Sequence, residues 1–211
     1  MKKSYLVTKI VFGLTAGFLV TSCISEPESP VLTEQLEKSV ALSEGTTGEE
    51  NLRKYPEFNY FEKFSNQITP KNEGQSEFGP IVFLPGTGVG NATFLGKSYS
   101  FINQLAVGPT TTISAPVTQY YLEDLEALGL TGIPDNVNSL TTDGKGNAIF
   151  FESDVNTGSI ISETRTEFSA ELEVVGGTGK FLGVTGTGMV EGFYNPKNGV
   201  GASTVRANIK Y

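Results

Sequence analysis

The sequence predicts an all-β fold: a small, closed, antiparallel β-barrel with one short inserted helix, set behind an N-terminal leader and a disordered tether. Three observations predict it. From Phe78 onward, short apolar-alternating runs are punctuated by Gly, Asn, Asp and Pro, the texture of strands joined by tight turns. One run, Glu163 to Val175, alternates over six consecutive pairs without a slip. Before Phe78 the chain reads differently, as a short apolar stretch followed by an acidic, proline-broken segment.

The strands follow from their periodicity. In the Glu163–Val175 run, Thr164, Thr166, Phe168, Ala170, Leu172 and Val174 share one face, and the other carries Glu163, Arg165, Glu167, Ser169, Glu171 and Glu173. Successive side chains of a strand point to opposite sides, so this is a strand with one buried face. The last run, Ala202 to Tyr211, repeats the logic, with Ser203, Val205, Ala207, Ile209 and Tyr211 inward and Thr204, Arg206, Asn208 and Lys210 outward. Further strands are expected over Pro80–Leu84, Ala92–Leu105, Ser139–Thr142, Asn147–Ser153 and Val184–Tyr194. Turns are expected at Asp143–Gly146, Asn156–Gly158 and Asn195–Gly199, whose residues tolerate tight backbone geometry. Closing the sheet on itself removes exposed strand edges, which is why a barrel is preferred.

One segment breaks this texture. In "TQYYLEDLEALGL", Thr118 to Leu130, Tyr121, Leu122, Leu125 and Leu128 stand near helical spacing and Gly129 supplies a stop. The expected helix covers an open barrel end or serves as a lid over a ligand, with Tyr120 and Tyr121 fit for either role.

The N-terminal part is read as an address. Lys2, Lys3 and Lys9 precede the apolar run Ile10–Val20, the layout of a secretory signal, and that run is shorter than the about 20 residues a spanning helix needs. The only cysteine, Cys23, closes "LVTSC", which resembles the bacterial lipobox. The resemblance implies a signal peptide over residues 1–22, lipidation of Cys23 as the first mature residue, and multiple acyl chains, which anchor stably where one chain does not. The acidic "SEPE" at Ser25–Glu28 resembles the surface-export signals of Bacteroidota lipoproteins, implying an outer-membrane location. Residues 23–77 are read as a flexible acidic tether, with a weak helical stripe at Leu32, Leu36 and Val40 and an aromatic-rich stretch, Tyr55–Phe64, able to dock on the domain or a partner. The barrel domain is expected over 78–211.

Charge bounds the partners. The whole chain carries −8, and without residues 1–22 it holds 12 basic against 23 acidic residues, a net of −11. Nucleic acid and anionic lipid both call for a basic surface, so neither is expected to bind through bulk charge.

The glycine-rich "EVVGGTGKFLGVTGTGMVEG", Glu173 to Gly192, raises the question of a phosphate loop. A Walker A loop places Gly five residues before Gly-Lys and Ser or Thr directly after it, whereas Val174 and Phe181 occupy those positions. The dinucleotide fingerprint fails at Leu182, and at Asn91 in "GTGVGN". Left-handed turns, bulges and close strand approach are the expected roles of these glycines.

"VVGGTGKFLGVTGTG", Val174 to Gly188, resembles the signature hairpin shared by plant dirigent proteins, allene oxide cyclases and bacterial secreted proteins of the same barrel. The terminal "GASTVRANIKY" and "GNATFLGKSYSF", Gly90 to Phe101, also resemble the bacterial members. The resemblance covers about residues 80–211 and implies an eight-stranded antiparallel barrel whose interior accepts an apolar ligand. The bacterial relatives often have histidine where this chain has Phe94.

The catalytic inventory is thin. The chain has no histidine, which excludes His-based triads and the commonest zinc ligand, and Cys23 is committed to lipid. No metal site and no cofactor is expected. "DGKGN", Asp143–Asn147, is a fragment of a calcium loop without its remaining ligands. Two carboxylates, Glu152 and Glu191, sit in strands of ambiguous facing; inside an apolar barrel either would have a raised pKa. Leu95, Tyr99, Phe101, Phe168 and Leu172 face inward by parity, as core filling or as the lining of a pocket. Arg165 and Arg206 fall on outer faces. The expected function is a lipid-anchored, non-enzymatic envelope barrel that binds a small apolar ligand or an envelope protein. The alternatives are an isomerase or cyclase of the allene oxide cyclase or dirigent type, and a surface adhesin acting through an exposed Tyr120–Tyr121 patch.

Overall fold

The computed structural model describes residues 56–211. Cys23, the leader and the Leu32–Val40 stripe lie outside the described residues. The barrel is closed by eight antiparallel strands. In chain order these are β1 (Glu57–Ile68), β4 (Gly86–Ala92), β5 (Gly96–Ile102), β8 (Ser139–Thr142), β9 (Ala148–Glu152), β11 (Arg165–Thr178), β12 (Thr185–Tyr194) and β13 (Val200–Lys210). They pair in that order around the cylinder, and β13 returns to β1 with Glu57 opposite Lys210 and Gln67 opposite Val200.

One side of the wall is taller. β2 (Lys71–Ser76), β3 (Gly79–Phe83), β6 (Gln104–Ala106), β7 (Thr111–Ser114) and β10 (Val155–Ser162) run β2-β3-β6-β7-β10 and join β11. They prolong barrel strands: only Thr69 and Pro70 separate β1 from β2, Leu84 and Pro85 separate β3 from β4, and Asn103 separates β5 from β6. β7 and β8 hold one sheet position, interrupted by residues 115–138, which carry the helix α1 (Thr118–Ala127).

The aromatic-rich stretch before residue 65 is therefore barrel wall, which corrects the tether boundary at 77. β1 puts Tyr60, Glu62 and Phe64 inside, each at most 4 % exposed, and Phe61 outside at 45 %. A stretch that pairs with β13 on one side and β4 on the other has its backbone groups satisfied by strands far away in sequence. Its acidic flanks do not keep it unfolded.

Two apolar clusters share the wall between them. Inside the cylinder, Tyr60, Phe151, Leu172, Phe181, Val205 and Ile209 form the main core. On the outside, Phe101, Leu140 and Phe150 pack against Val117, Leu125 and Leu130 of the insertion. Hence β9 is buried on both faces, Phe150 under the helix and Phe151 in the lumen. α1 thus covers the side of the barrel rather than an end, a correction to both roles expected of it. It stops where expected, at Gly129 with φ +77°, a left-handed conformation open to glycine without steric cost.

The glycine run forms the end of β11, a single 3-10 turn at Gly179–Phe181, and β12. No α-helix starts there. A Cβ on Gly177 would run into the Ala148 carbonyl oxygen and one on Gly179 into the Asn147 side chain, so these glycines buy close approach and leave no cradle for phosphate.

Candidate functional site

The two ends of the cylinder are built from different residues. At the end holding the β4–β5 and β11–β12 turns, apolar rings fill the lumen. Phe58 meets Phe94 edge-on at 6.1 Å, and Tyr60 meets Phe181 likewise at 6.1 Å. Phe94 sits in the β4–β5 turn with φ +66°, a conformation costly for a bulky residue, and it is held there by packing on the core. The Lys180 ammonium also donates to its carbonyl oxygen at 3.4 Å.

At the opposite end the lumen keeps a cavity of about 60 Å³. Its floor is Glu62, with Thr141, Phe151 and Leu172; its upper wall sets Asn66, Ser100, Ser153 and Ser203 beside the apolar Ile68, Ile102, Phe168 and Val190. Drug-sized ligands occupy roughly 300–1,000 Å³, so the cavity suits a few waters or a ligand of a few heavy atoms. Glycine makes room for two of these polar groups. A Cβ on Gly88 of β4 would collide with the Asn66 and Ser100 side chains; its absence lets both occupy the lumen. Asn66 in turn donates through Nδ2 to Ser203 Oγ at 2.8 Å, and Asn138 donates to Ser153 Oγ at 2.8 Å.

Glu62 is the chemically distinctive group. The Tyr60 hydroxyl donates to its Oε2 at 2.7 Å. Burial pushes the Glu62 carboxyl up to about 7, against the pull of its hydrogen bonds with Tyr60 and Thr141. Burial likewise drives the Tyr60 phenol well above its ordinary range, with the neighbouring Glu62 adding to the effect. Among the described residues, no Lys or Arg lines the cavity. A carboxyl in a low-dielectric site without a cationic partner resists ionisation, and it exchanges its proton near neutrality.

Of the residues expected in a pocket, Phe168 and Leu172 line this cavity. Leu95 packs at the apolar end instead. Tyr99 and Phe101 point out of the barrel, and Ser98 and Ser100 point in. The reason is the β4–β5 turn: Ala92 ends β4 and pairs with Gly96, so Ala92–Leu105 is a turn followed by β5 and, after Asn103, the start of β6, and a parity counted across Thr93–Leu95 is reset. Tyr120 donates its hydroxyl to Glu73 at 2.7 Å and its ring meets Phe83. Tyr121 packs edge-on against Phe101 at 5.3 Å on the outer face. Neither tyrosine reaches the lumen.

Glu152 and Glu191 are not interior acids. Glu152 accepts from Asn136 Nδ2 at 2.7 Å at the end of β9. Glu191 pairs with Arg206 at 3.4 Å, both side chains more than half exposed. Arg165 and Arg206 are on outer faces, Arg165 stacked over Phe193 at 3.9 Å. Asp143 holds the β8–β9 turn: it accepts from Lys145 N at 2.8 Å and Asn147 Nδ2 at 2.7 Å. Burial would raise its pKa, yet these hydrogen bonds with Asn147 and the backbone hold it below the usual value.

Glu62 and Tyr60 were missed because they lie in the stretch read as tether. A signal was present: Phe58, Tyr60, Glu62 and Phe64 alternate with Asn59, Phe61 and Lys63, a strand pattern interrupted by an acid at one inward position and an aromatic at one outward position. Among known proteins, no family model, no curated protein and no solved structure matches the chain.

Proposed function

We propose that this protein is a lipid-anchored envelope module whose barrel binds a small molecule in its polar end, with Glu62 as the anchoring group. The observation that carries the reading is a buried carboxyl at the floor of a cavity of about 60 Å³ in which, among the described residues, no other charged side chain stands. Its size argues for a ligand of a few heavy atoms, and its carboxyl and hydroxyl groups give that ligand hydrogen-bonding partners that the purely apolar ligand implied by the dirigent and allene oxide cyclase resemblance would leave unused. The anchor rests on the lipobox resemblance of Leu19–Cys23, and the outer-membrane location on the acidic residues that follow. An adhesin acting through the helix tyrosines has little support, since both rings are packed against the domain.

A second reading, proton-transfer catalysis of the isomerase type, is favoured by one observation. A carboxyl near 7 can give and take a proton at neutral pH. In that reading Glu62 takes the role expected of Glu152 or Glu191.

Native mass spectrometry of the full chain purified from its own envelope tests the binding module. A low-mass adduct is expected, and Ser203→Leu, which fills the cavity, abolishes it. A folded wild-type protein with no adduct, and no response to any small polar compound in a screen, overturns the reading. The anchor is checked separately by fractionation: Cys23→Ala moves the protein out of the membrane fraction.

A further inference from the structure

We infer that the ligand of the barrel end is a small organic ammonium ion, whose positive charge completes the unpaired Glu62 carboxylate; the inference rests on the reading of this cavity as a ligand site. Glu62 is 4 % exposed and borders the cavity. Around it, β1 supplies Tyr60, β8 supplies Thr141, β9 supplies Phe151, β11 supplies Leu172 and β13 supplies Val205. Tyr60 is the one titratable group among them, and its hydroxyl already donates a hydrogen bond to Glu62; besides Glu62, Tyr194 of β12 is the other titratable group on the cavity lining. The strand neighbour Lys63 and the nearby Arg206 both turn outward, as exposed residues. A buried carboxylate is stable when paired and unstable alone, so in this barrel the partner is either a proton or a ligand.

The lining narrows the ligand further. An ammonium group brings several N–H donors and no acceptor, as the lysine head group does. It therefore calls for acceptors, which here are the Glu62 oxygens and the Ser100, Thr141 and Ser203 hydroxyls. An anion would meet a carboxylate and no cation. Phe151 on the floor is an aromatic neighbour of the kind that attracts cations. The chain's net charge of −8 raises the local concentration of cations around it. The cavity's size limits the organic part to a few carbons.

The test compares ethylammonium with ethanol, its neutral counterpart, and acetate, on the full chain with labelled glutamate carboxyls followed by NMR at fixed sodium chloride. Ethylammonium is expected to shift the Glu62 carboxyl resonance and to lower its midpoint from about 7. Its affinity should rise roughly tenfold between pH 6 and pH 8, following the ionised fraction of Glu62. Ethanol and acetate should show no such rise, and Glu62→Gln should remove ethylammonium binding. The pH series on the unaltered chain carries the test even where that variant fails to fold. Ethanol binding as tightly as ethylammonium, equally at both pH values, overturns the cationic ligand and leaves the ligand site standing. Displacement by sodium chloride alone overturns the organic part in favour of an inorganic cation. A Glu62 resonance that titrates near 7 and answers to none of the compounds overturns both, making Glu62 a structural acid bonded to Tyr60.

Discussion

The two ends of one barrel solve the same packing problem in opposite ways. At the Phe94 end the lumen is filled by large side chains, and Phe181, Val184 and Ile209 are completely buried. The backbone there even accepts a left-handed phenylalanine to bring a ring into place. At the Glu62 end, serine, threonine and asparagine are interspersed among apolar residues such as Phe168 and Val190, and a cavity remains. The apolar end gains the free energy of burying rings. The polar end gives up some of that gain and keeps an ionisable group out of water. The contrast teaches that stability and chemistry are segregated along the barrel axis, within a single sheet.

The largest expected effect tests that division directly. Phe181→Ala at the apolar end should lose about 3–5 kcal/mol by deleting a fully buried ring from close packing. Phe168→Ala, beside the existing cavity, should lose less than about half of that. Urea unfolding of the two variants checks the ratio, and equal losses would break the comparison.

Next comes a pH effect confined to the polar end. Glu62 has a folded pKa raised from 4.5 to about 7, so between those values the folded chain holds a proton that the unfolded chain has released. Its stabilising contribution is complete below pH 4.5 and is lost as pH rises through 7, about 3 kcal/mol in all. Thermal unfolding at pH 5 and pH 8 should show this fall in the unaltered protein, and a flat profile in Glu62→Gln. A rise in stability over that range would contradict the buried, unpaired carboxyl.

A smaller effect concerns Phe94. Phe94→Ala loses the ring contact with Phe58 yet keeps a side chain at φ +66°, whereas Phe94→Gly loses the ring and relieves the backbone. Both should destabilise, but alanine by about 1 kcal/mol more than glycine, the reverse of their usual order in a strand. Chemical denaturation of the pair decides whether packing holds that turn in a strained form.

The smallest effect lies on the outer wall and serves as the reference for both ends. Glu173 stands directly opposite Glu152 across β11 and β9, an unfavourable pair of like charges. Glu173→Lys should stabilise by about 0.5 kcal/mol, with the gain fading as salt is added.

How much of this was legible in the sequence depended on what each strand faces. The facing of β11 and β13 is legible over most of their length because one face is mainly apolar and the other polar, as at Phe168, Ala170 and Leu172 against Glu167, Glu171 and Glu173; Thr164 falls instead in the turn before β11, and Tyr211 lies beyond β13 at 41 % exposure. β1 was missed because its inward face contains the very acid that makes the site interesting, and Glu62 among aromatics reads as noise in a hydrophobic pattern. β5 was read with its faces exchanged, since a turn closed by Phe94 and Gly96 in left-handed conformations resembles continuing strand when only hydropathy is counted. The glycines of β4 gave no strand signal, because their inward side is filled by neighbours such as Asn66 and Ser100.

By itself the sequence determined the all-β architecture of the described residues, the place of the helix at Thr118–Ala127 and the failure of the glycine run as a phosphate loop. These are properties of short segments: a two-residue period, a helical spacing and a motif's missing positions act over a few neighbours. The tertiary structure alone decided that residues 57–68 complete the barrel, that the helix lies on its side, and that Glu62 is the buried acid. Desolvation is the physical reason, because the environment of Glu62 is assembled by β1, β8, β9, β11 and β13, strands spread over nearly the whole described chain.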